Sequence, residues 1–225
     1  MRHLKRLFTS ALMALILTVS VNAMVYHQAD YYDIVYDPSI ITPRMTTSPN
    51  SITYYVSSSW YFSSIASLCD AGVKALNSIL YGIDLTRTYT YSSSLYDLSG
   101  YTYNTAENTY YAGVDAYTAV YCGTGPYGTN SRYLEESQIP CDYVLAESYF
   151  NIDKLSGVSP LNITWNQFVT SVITHETGHM LGLGHPTYNS VMQQYGYNSY
   201  RPLIPSSNEF ISLDYLYSYR LNYII

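Results

Sequence analysis

The sequence contains one stretch with three histidines, HETGHMLGLGH at residues 175–185. On an α-helix, His175 and His179 are four residues apart, so both side chains project from one face and can reach the same ion. Glu176 lies beside them, where a carboxylate is poorly placed to be a third ligand of the same tetrahedral ion but can act as a general base toward water. The pattern predicts a metal site with a base next to it.

The helix must end before the third histidine can return to that ion. His185 follows His179 by six residues, which on a continuing helix is nearly two turns. Gly182 provides the end, because glycine adopts the left-handed conformation that closes helices at little steric cost. A catalytic zinc site uses three protein ligands and leaves one position open for water, so the three histidines are the predicted ligands of one Zn²⁺ ion.

With Met192, seven residues after His185, the stretch resembles the metzincin zinc endopeptidases, whose pattern H-E-x-x-H-x-x-G-x-x-H is followed by a Met-turn. The segment between His185 and Met192 is short. Gln194 stands where some members have a tyrosine ligand, and Tyr195 is one residue further on. The chain is therefore most similar to the matrixin-like secreted members. The resemblance implies that Met192 forms an apolar floor beneath the metal. The alternative, a methionine that fills a gap in the core, would make nearly the same apolar contacts.

A simpler explanation exists for H-E-x-x-H alone, namely a buried amphipathic helix that happens to contain two histidines. The added Gly182, His185 and Met192 favour the metal site. The helix is well bounded: Thr164 with Gln167 predicts a capping box. Four apolar residues then form the stripe that would pack the helix under a sheet: Phe168, Val169, Val172 and Ile173.

The fold class that the resemblance implies is α+β, with a twisted mixed sheet, two long helices above the cleft and a small C-terminal subdomain with one helix. Periodicity predicts a strand at residues 52–56, a helix at about 60–80 ended by Tyr81 and Gly82, and two or three strands between residues 83 and 128. Turns are predicted at residues 97–100 and 104–108.

Residues 142–151 predict one more strand, just before the motif helix. By resemblance this would be the antiparallel edge strand above the cleft, pairing with extended substrate through its main chain. An ordinary edge strand protected by Glu147 is the alternative. After the Met-turn, Ser206 and Glu209 predict a second capping box that opens a helix ending near residue 221.

Three segments are predicted along the chain. Residues 1–23 have a basic front, an apolar run and a small-residue cleavage site, which indicates a secretory signal peptide; an uncleaved anchor is the alternative. Residues 24–50 are an extended segment or a short pro-segment, and residues 51–225 are the metallopeptidase domain. The expected location is extracellular.

Charge and cysteine usage agree with export. Without residues 1–23 the chain has 7 basic and 16 acidic residues, which argues against nucleic acid or an anionic membrane as partner. The expected partner is a protein or peptide substrate, and the expected state is a monomer. Three cysteines allow three pairings. We expect Cys122 with Cys141, which bracket a loop rich in turn residues, and a buried, unreactive Cys69.

The sequence thus predicts a secreted zinc-dependent endopeptidase in which Glu176 is the general base. Two alternatives stay open: a non-catalytic zinc-binding toxin or adhesin on the same fold, and a zinc hydrolase of cell-wall peptides or small amides. Asp115, Asp142 and Asp153 are available for Ca²⁺, but no spaced loop of oxygen ligands supports a calcium site.

Overall fold

The computed structural model describes residues 45, 47, 49–78, 80–106, 109–122, 131–133, 142–157, 160, 162–186, 189–193 and 202–219. The predicted signal segment, residues 1–23, lies outside these residues, as does most of the segment 24–50. Met45, near the end of that segment, is fully buried and forms a parallel bridge with Tyr143.

One mixed sheet carries the fold, as the resemblance implied. Its strands are β1 (Thr53–Val56), β2 (Thr86–Thr88), β3 (Tyr96–Tyr101), β4 (Ala116–Cys122), β5 (Ser131–Tyr133) and β6 (Tyr143–Asn151). The spatial order is β2-β1-β3-β6-β4-β5. The first four strands in this order, β2, β1, β3 and β6, run parallel to one another. Strand β4 is antiparallel to both of its neighbours, β6 and β5. Three of the strands fall between residues 83 and 128, which confirms that prediction.

The described helices are α1 (Trp60–Ser64), α2 (Ala66–Lys74), α3 (Thr109–Gly113), α4 (Ile152–Gly157), α5 (Trp165–Met180) and α6 (Ser207–Asp214). Short 3-10 turns lie at Tyr91–Ser93 and Tyr103–Thr105, and a π-helical turn at Tyr215–Tyr219 follows α6. No helix in the described part of the chain is long and apolar enough to cross a membrane.

The prediction of a single helix over residues 60–80 is wrong. The helix breaks at Ile65 and ends at Lys74. Asn77 explains the early end, because its side chain accepts a hydrogen bond from the Leu85 main-chain nitrogen and donates one to Asp84, turning the chain back toward β2. Gly82, with φ of 64°, lies in the resulting loop and not at a helix end. The resemblance implied two long helices above the cleft, and this is also wrong for the described residues, where only α5 is long.

The predicted turn at residues 97–100 is also wrong, since these residues lie within β3. Position 100 has no room for a larger side chain, because a Cβ there would lie 2.7 Å from side-chain atoms of both Phe62 and Ile152. Asp97 is only 5% exposed and accepts a hydrogen bond from Ser94. Glycine and aspartate are usually typical of turns. Here Gly100 allows close packing, and Asp97 makes a buried polar contact.

The strand over residues 142–151 is confirmed as β6, but its predicted edge position is wrong. It pairs in parallel with β3 and antiparallel with β4, so both of its edges are hydrogen-bonded within the sheet. The role of pairing with substrate is therefore excluded for β6. Glu147 protects no edge; it accepts hydrogen bonds from Tyr121 and Tyr149.

The core lies between the sheet and helices α2 and α5. Helices α2 and α5 approach closely at Gly72, where a Cβ would meet Ile173 at 2.7 Å, and Thr174 Oγ1 donates to the Gly72 carbonyl at 3.0 Å. The predicted apolar stripe of α5 is buried throughout. This packing fixes α5 against the sheet, and α5 carries the motif.

Candidate metal centre

Helix α5 begins as predicted. Thr164 is its N-cap, with a capping box formed with Gln167, and the helix runs on to Met180. His175 is buried, and His179 is half-buried one turn later. A capped helix that is packed along its length presents the two imidazoles in fixed positions.

The chain then closes the helix with a C-terminal motif centred on Gly182. Its φ is 96°, the main-chain nitrogen of Leu183 donates to the Gly178 carbonyl at 2.9 Å, and that of Gly182 donates to the His179 carbonyl at 2.9 Å. These two bonds define a Schellman motif, in which the left-handed residue is usually glycine. The prediction that Gly182 ends the helix is confirmed, and the turn brings His185 back beside the helix.

The three imidazoles converge through one type of atom. Nε2 of His179 lies 3.0 Å from Nε2 of His175 and 3.0 Å from Nε2 of His185, and the third pair is 3.2 Å apart. Three nitrogens bound tetrahedrally at about 2.0–2.1 Å from one zinc ion are about 3.3 Å apart. The spacing therefore fits a single small ion held by all three rings.

The other ring nitrogens show why these Nε2 atoms offer lone pairs. Nδ1 of His175 lies 2.9 Å from the Val191 carbonyl oxygen, and Nδ1 of His179 lies 2.8 Å from the Leu183 carbonyl oxygen. A carbonyl only accepts, so in the neutral imidazole the hydrogen is on Nδ1 and the lone pair is on Nε2. Lone pairs facing each other at 3.0 Å repel unless a cation lies between them, so the donor set fits a metal ion.

Glu176 is 4% exposed and lies on the side of α5 that faces β4. Thr118 Oγ1, from the middle of β4, donates to Glu176 Oε2 at 2.7 Å. Sequence reasoning missed Thr118, because it is 58 residues away from Glu176 and belongs to no local motif. Only the pairing of β4 with β6 brings it under the helix.

Met192 is fully buried and packs against α5 at Gly178. A Cβ on Gly178 would come within 2.2 Å of its sulfur atom, so Gly178 leaves the space that Met192 fills. The turn that carries Met192 is braced by Glu209, which sequence reasoning placed only in the capping box of α6. Glu209 is fully buried and accepts from Ser190 Oγ, which in turn accepts from the Met192 main-chain nitrogen at 2.9 Å.

Two of the three aspartates considered for calcium have other roles. Asp115 lies 3.4 Å from the Lys154 amine, and Asp153 accepts from the Tyr103 main-chain nitrogen at 2.7 Å. Within the described ranges, the three motif histidines are the only group of three or more His, Cys, Asp or Glu side chains spaced to hold one ion. Gln194 and Tyr195 lie outside the described residues.

The cysteines agree with expectation as far as they are described. Cys69 is free and fully buried. Cys122 is disulfide-bonded. Cys141, its predicted partner, lies outside the described residues.

No protein-family model matches this chain, and no curated protein matches it. The interpretation of the site therefore rests on its residues and their geometry.

Proposed function

We propose that this chain is a secreted zinc-dependent endopeptidase of the metzincin type. The observation that carries the proposal is the convergence of three Nε2 atoms within 3.0–3.2 Å, two of them oriented by carbonyl groups behind the rings. Structural zinc sites use four protein ligands, whereas catalytic sites use three and keep one position open. Three histidines and a nearby carboxylate fit the second kind.

In the proposed reaction, His175, His179 and His185 hold the ion and Glu176 moves the proton. Zinc, when bound, supplies Lewis acidity that activates water and polarises the carbonyl of the scissile peptide bond. Glu176 accepts the proton of the attacking water at its carboxylate and then delivers it to the leaving amine. Burial of Glu176, at 4% exposure, keeps competing bulk water away from this carboxylate.

We assign the substrate-facing strand of the resembled family to the first part of β4, residues 116–119, in place of β6. Within the described residues, the outer neighbour β5 pairs with β4 only at residues 120–122. Thr118 in β4 contacts Glu176 directly, so a peptide lying along β4 would pass beside the proposed base. Extended peptides gain affinity by main-chain hydrogen bonds to such strands, while alternate side chains give specificity. This supports a polypeptide substrate over a small amide.

The buried, hydrogen-bonded carboxylate of Glu176 favours a catalytic role over zinc binding without catalysis. A protein that only binds zinc has no need of a buried carboxylate held by a threonine hydroxyl, because such a carboxylate costs free energy to bury. A non-catalytic toxin or adhesin would bind one zinc ion and cleave nothing. A hydrolase of cell-wall peptides would bind zinc and cleave only those.

The test is the zinc content of the purified protein, together with cleavage of casein or gelatin before chelation, after chelation and after zinc is added back. We expect one zinc per chain and cleavage that disappears with the chelator and returns with zinc. One zinc per chain with no cleavage of casein, gelatin or wall peptides would contradict the proposed activity. Cleavage confined to wall peptides would establish the rival hydrolase.

A further inference from the structure

Three hydroxyl groups form a continuous line beneath α5 that ends at Glu176. The Tyr96 hydroxyl lies 2.8 Å from Ser148 Oγ, Ser148 Oγ lies 2.7 Å from Thr118 Oγ1, and Thr118 Oγ1 lies 2.7 Å from Glu176 Oε2. We call Tyr96, Ser148 and Thr118 the hydroxyl chain. Its members come from the neighbouring strands β3, β6 and β4, and Tyr96 and Ser148 are fully buried.

The carboxylate fixes the direction of every bond in this chain. A carboxylate oxygen accepts, and Thr118 Oγ1 gives its single hydrogen to Glu176 Oε2. Thr118 must then accept from Ser148, and Ser148, having used its own hydrogen, must accept from Tyr96. Thr177 also lies 3.4 Å from the Tyr96 hydroxyl, but it donates its hydrogen to the Ile173 carbonyl at 2.8 Å. All three donors therefore point toward Glu176.

Such a chain is stronger than its separate bonds. Hydrogen bonds in series polarise one another, and one that ends on a charged group is roughly twice as strong as a neutral one. Burial raises the pKa of Tyr96, so this hydroxyl stays protonated and remains a donor. The hydroxyl chain anchors Glu176 Oε2 to three consecutive interior strands of the sheet, β3, β6 and β4.

We propose that Thr118, backed by Ser148 and Tyr96, is a positioning residue that fixes the orientation of the Glu176 carboxylate. The inference rests on the proposed function, in which Glu176 is the base. A base must lie within hydrogen-bond reach of the proton it takes, and misplacement by about 1 Å can cost about 100-fold in rate. The substrate and the metal do not need to touch Thr118 for this effect.

The main test is Thr118→Val, which keeps the shape of the side chain and removes the hydroxyl. We expect zinc content to stay at one per chain, KM to change by less than about 3-fold and kcat to fall by about 10- to 100-fold. Thr118→Ser, which restores the hydroxyl, should recover most of kcat. Ser148→Ala breaks the hydroxyl chain one hydrogen bond further from Glu176 and should give a smaller loss of kcat. It provides a second variant if Thr118→Val folds poorly.

The matched control is Thr174→Val. Thr174 is a buried threonine on the same helix, it donates to the carbonyls of Gly72 and Thr170, and it lies outside the hydroxyl chain. Its loss should lower stability and leave kcat near that of the wild type. The comparison separates loss of a buried hydroxyl in general from loss of the one that holds Glu176.

A measurement without catalysis tests the contact itself. In chelator-treated protein, Thr118→Val, Glu176→Ala and the double variant form a thermodynamic cycle for the equilibrium constant of unfolding. We expect the two changes to be non-additive by about 5-fold or more, as for a hydrogen bond to a charged group. Additive changes would show that the hydroxyl chain does not hold Glu176 and would overturn the inference.

Two kinetic results and one metal analysis would also overturn it: an unchanged kcat in Thr118→Val, an equal loss of kcat in Thr118→Ser, or loss of zinc from Thr118→Val. The second would indicate packing in place of the hydroxyl, and the third would indicate an effect on the metal ligands. A wild-type protein that binds zinc and cleaves nothing would instead contradict the proposed function, while the unfolding cycle still decides whether the chain orients Glu176.

Discussion

Nδ1 of His175 lies 2.9 Å from the main-chain oxygen of Val191, so a histidine on α5 is hydrogen-bonded to the residue just before Met192. This contact sets the ring orientation and the tautomer of His175 from the far side of the site. Since Ser190 and Glu209 brace the same turn, the position of one imidazole depends on residues up to 34 positions further along the chain.

Glu176→Gln should keep one zinc per chain and lose peptidase activity by about 10²- to 10⁴-fold, because the amide cannot take the proton of the water. His185→Ala should lose the metal as well, because only two ring nitrogens remain. Zinc analysis and casein cleavage of the two variants, side by side, check both statements. A Glu176→Gln protein that cleaves at close to the wild-type rate would contradict the proposed role of Glu176.

Gly178→Ala should lower the free energy of unfolding by about 1–3 kcal/mol, because the new methyl group would overlap the Met192 sulfur, 2.2 Å away, in a closed space. The gain in helix propensity, about 1 kcal/mol, offsets part of this loss. Gly157→Ala is the matched control, since nothing lies within 4 Å of a Cβ at that position in α4. Urea unfolding of both variants should separate them, and equal stability would mean that Met192 does not need the space above Gly178.

Asp97 should make stability depend on pH. Burial is the main cause that raises the pKa of its carboxyl from 3.8 to about 6, and the charge of Glu147 adds to it, although the hydrogen bond from Ser94 opposes the shift. The folded state therefore holds this proton more tightly than the unfolded chain. The contribution to stability is fully present below about pH 4 and is lost as the pH rises through about 6.

Asp97→Asn should remove that loss. We expect the variant and the wild type to have similar unfolding free energies near pH 4, and the variant to be more stable at pH 7 by about 1–3 kcal/mol. Urea unfolding at several values between pH 4 and pH 7 gives the difference directly, because other titrating groups are common to both proteins. A difference that does not vary with pH would refute the assignment to Asp97.

Cys69 should be unreactive in the folded protein. It is fully buried, and burial, followed by the charge of Asp70, raises the pKa of its thiol to about 12, so almost no thiolate is present at pH 8. Iodoacetamide should label it at least about 100-fold more slowly in native protein than in denaturant. Peptide mapping locates the label, and Cys69→Ala provides the blank. Rapid native labelling would show that the helix pair α1 and α2 opens readily.

Local signals in the sequence predicted the elements that carry the motif. The four-residue spacing of His175 and His179, the stop at Gly182 and the capping boxes at Thr164 and Ser206 are all present. Each depends on bonds between residues at most six positions apart, so helix geometry alone determines them.

The same kind of reasoning failed where neighbours are distant along the chain. Residues 97–100 contain two turn-forming residue types and yet lie in β3, because Phe62 and Ile152 pack over Gly100. The single helix predicted over residues 60–80 ends early, because Asn77 bonds to the chain near β2. In both places tertiary contacts outweigh weak local propensities.

By itself, then, the sequence determined the helix that presents His175 and His179, the turn that returns His185, and the choice of Glu176 as the candidate base. Only the tertiary structure decided that β6 is an interior strand, that Thr118 reaches Glu176, and that Glu209 braces the turn before Met192. The alternation of side chains along a strand tells which face is buried but not which strand lies beside it. That order follows from packing the whole chain around one core, where contacts between distant residues decide the arrangement.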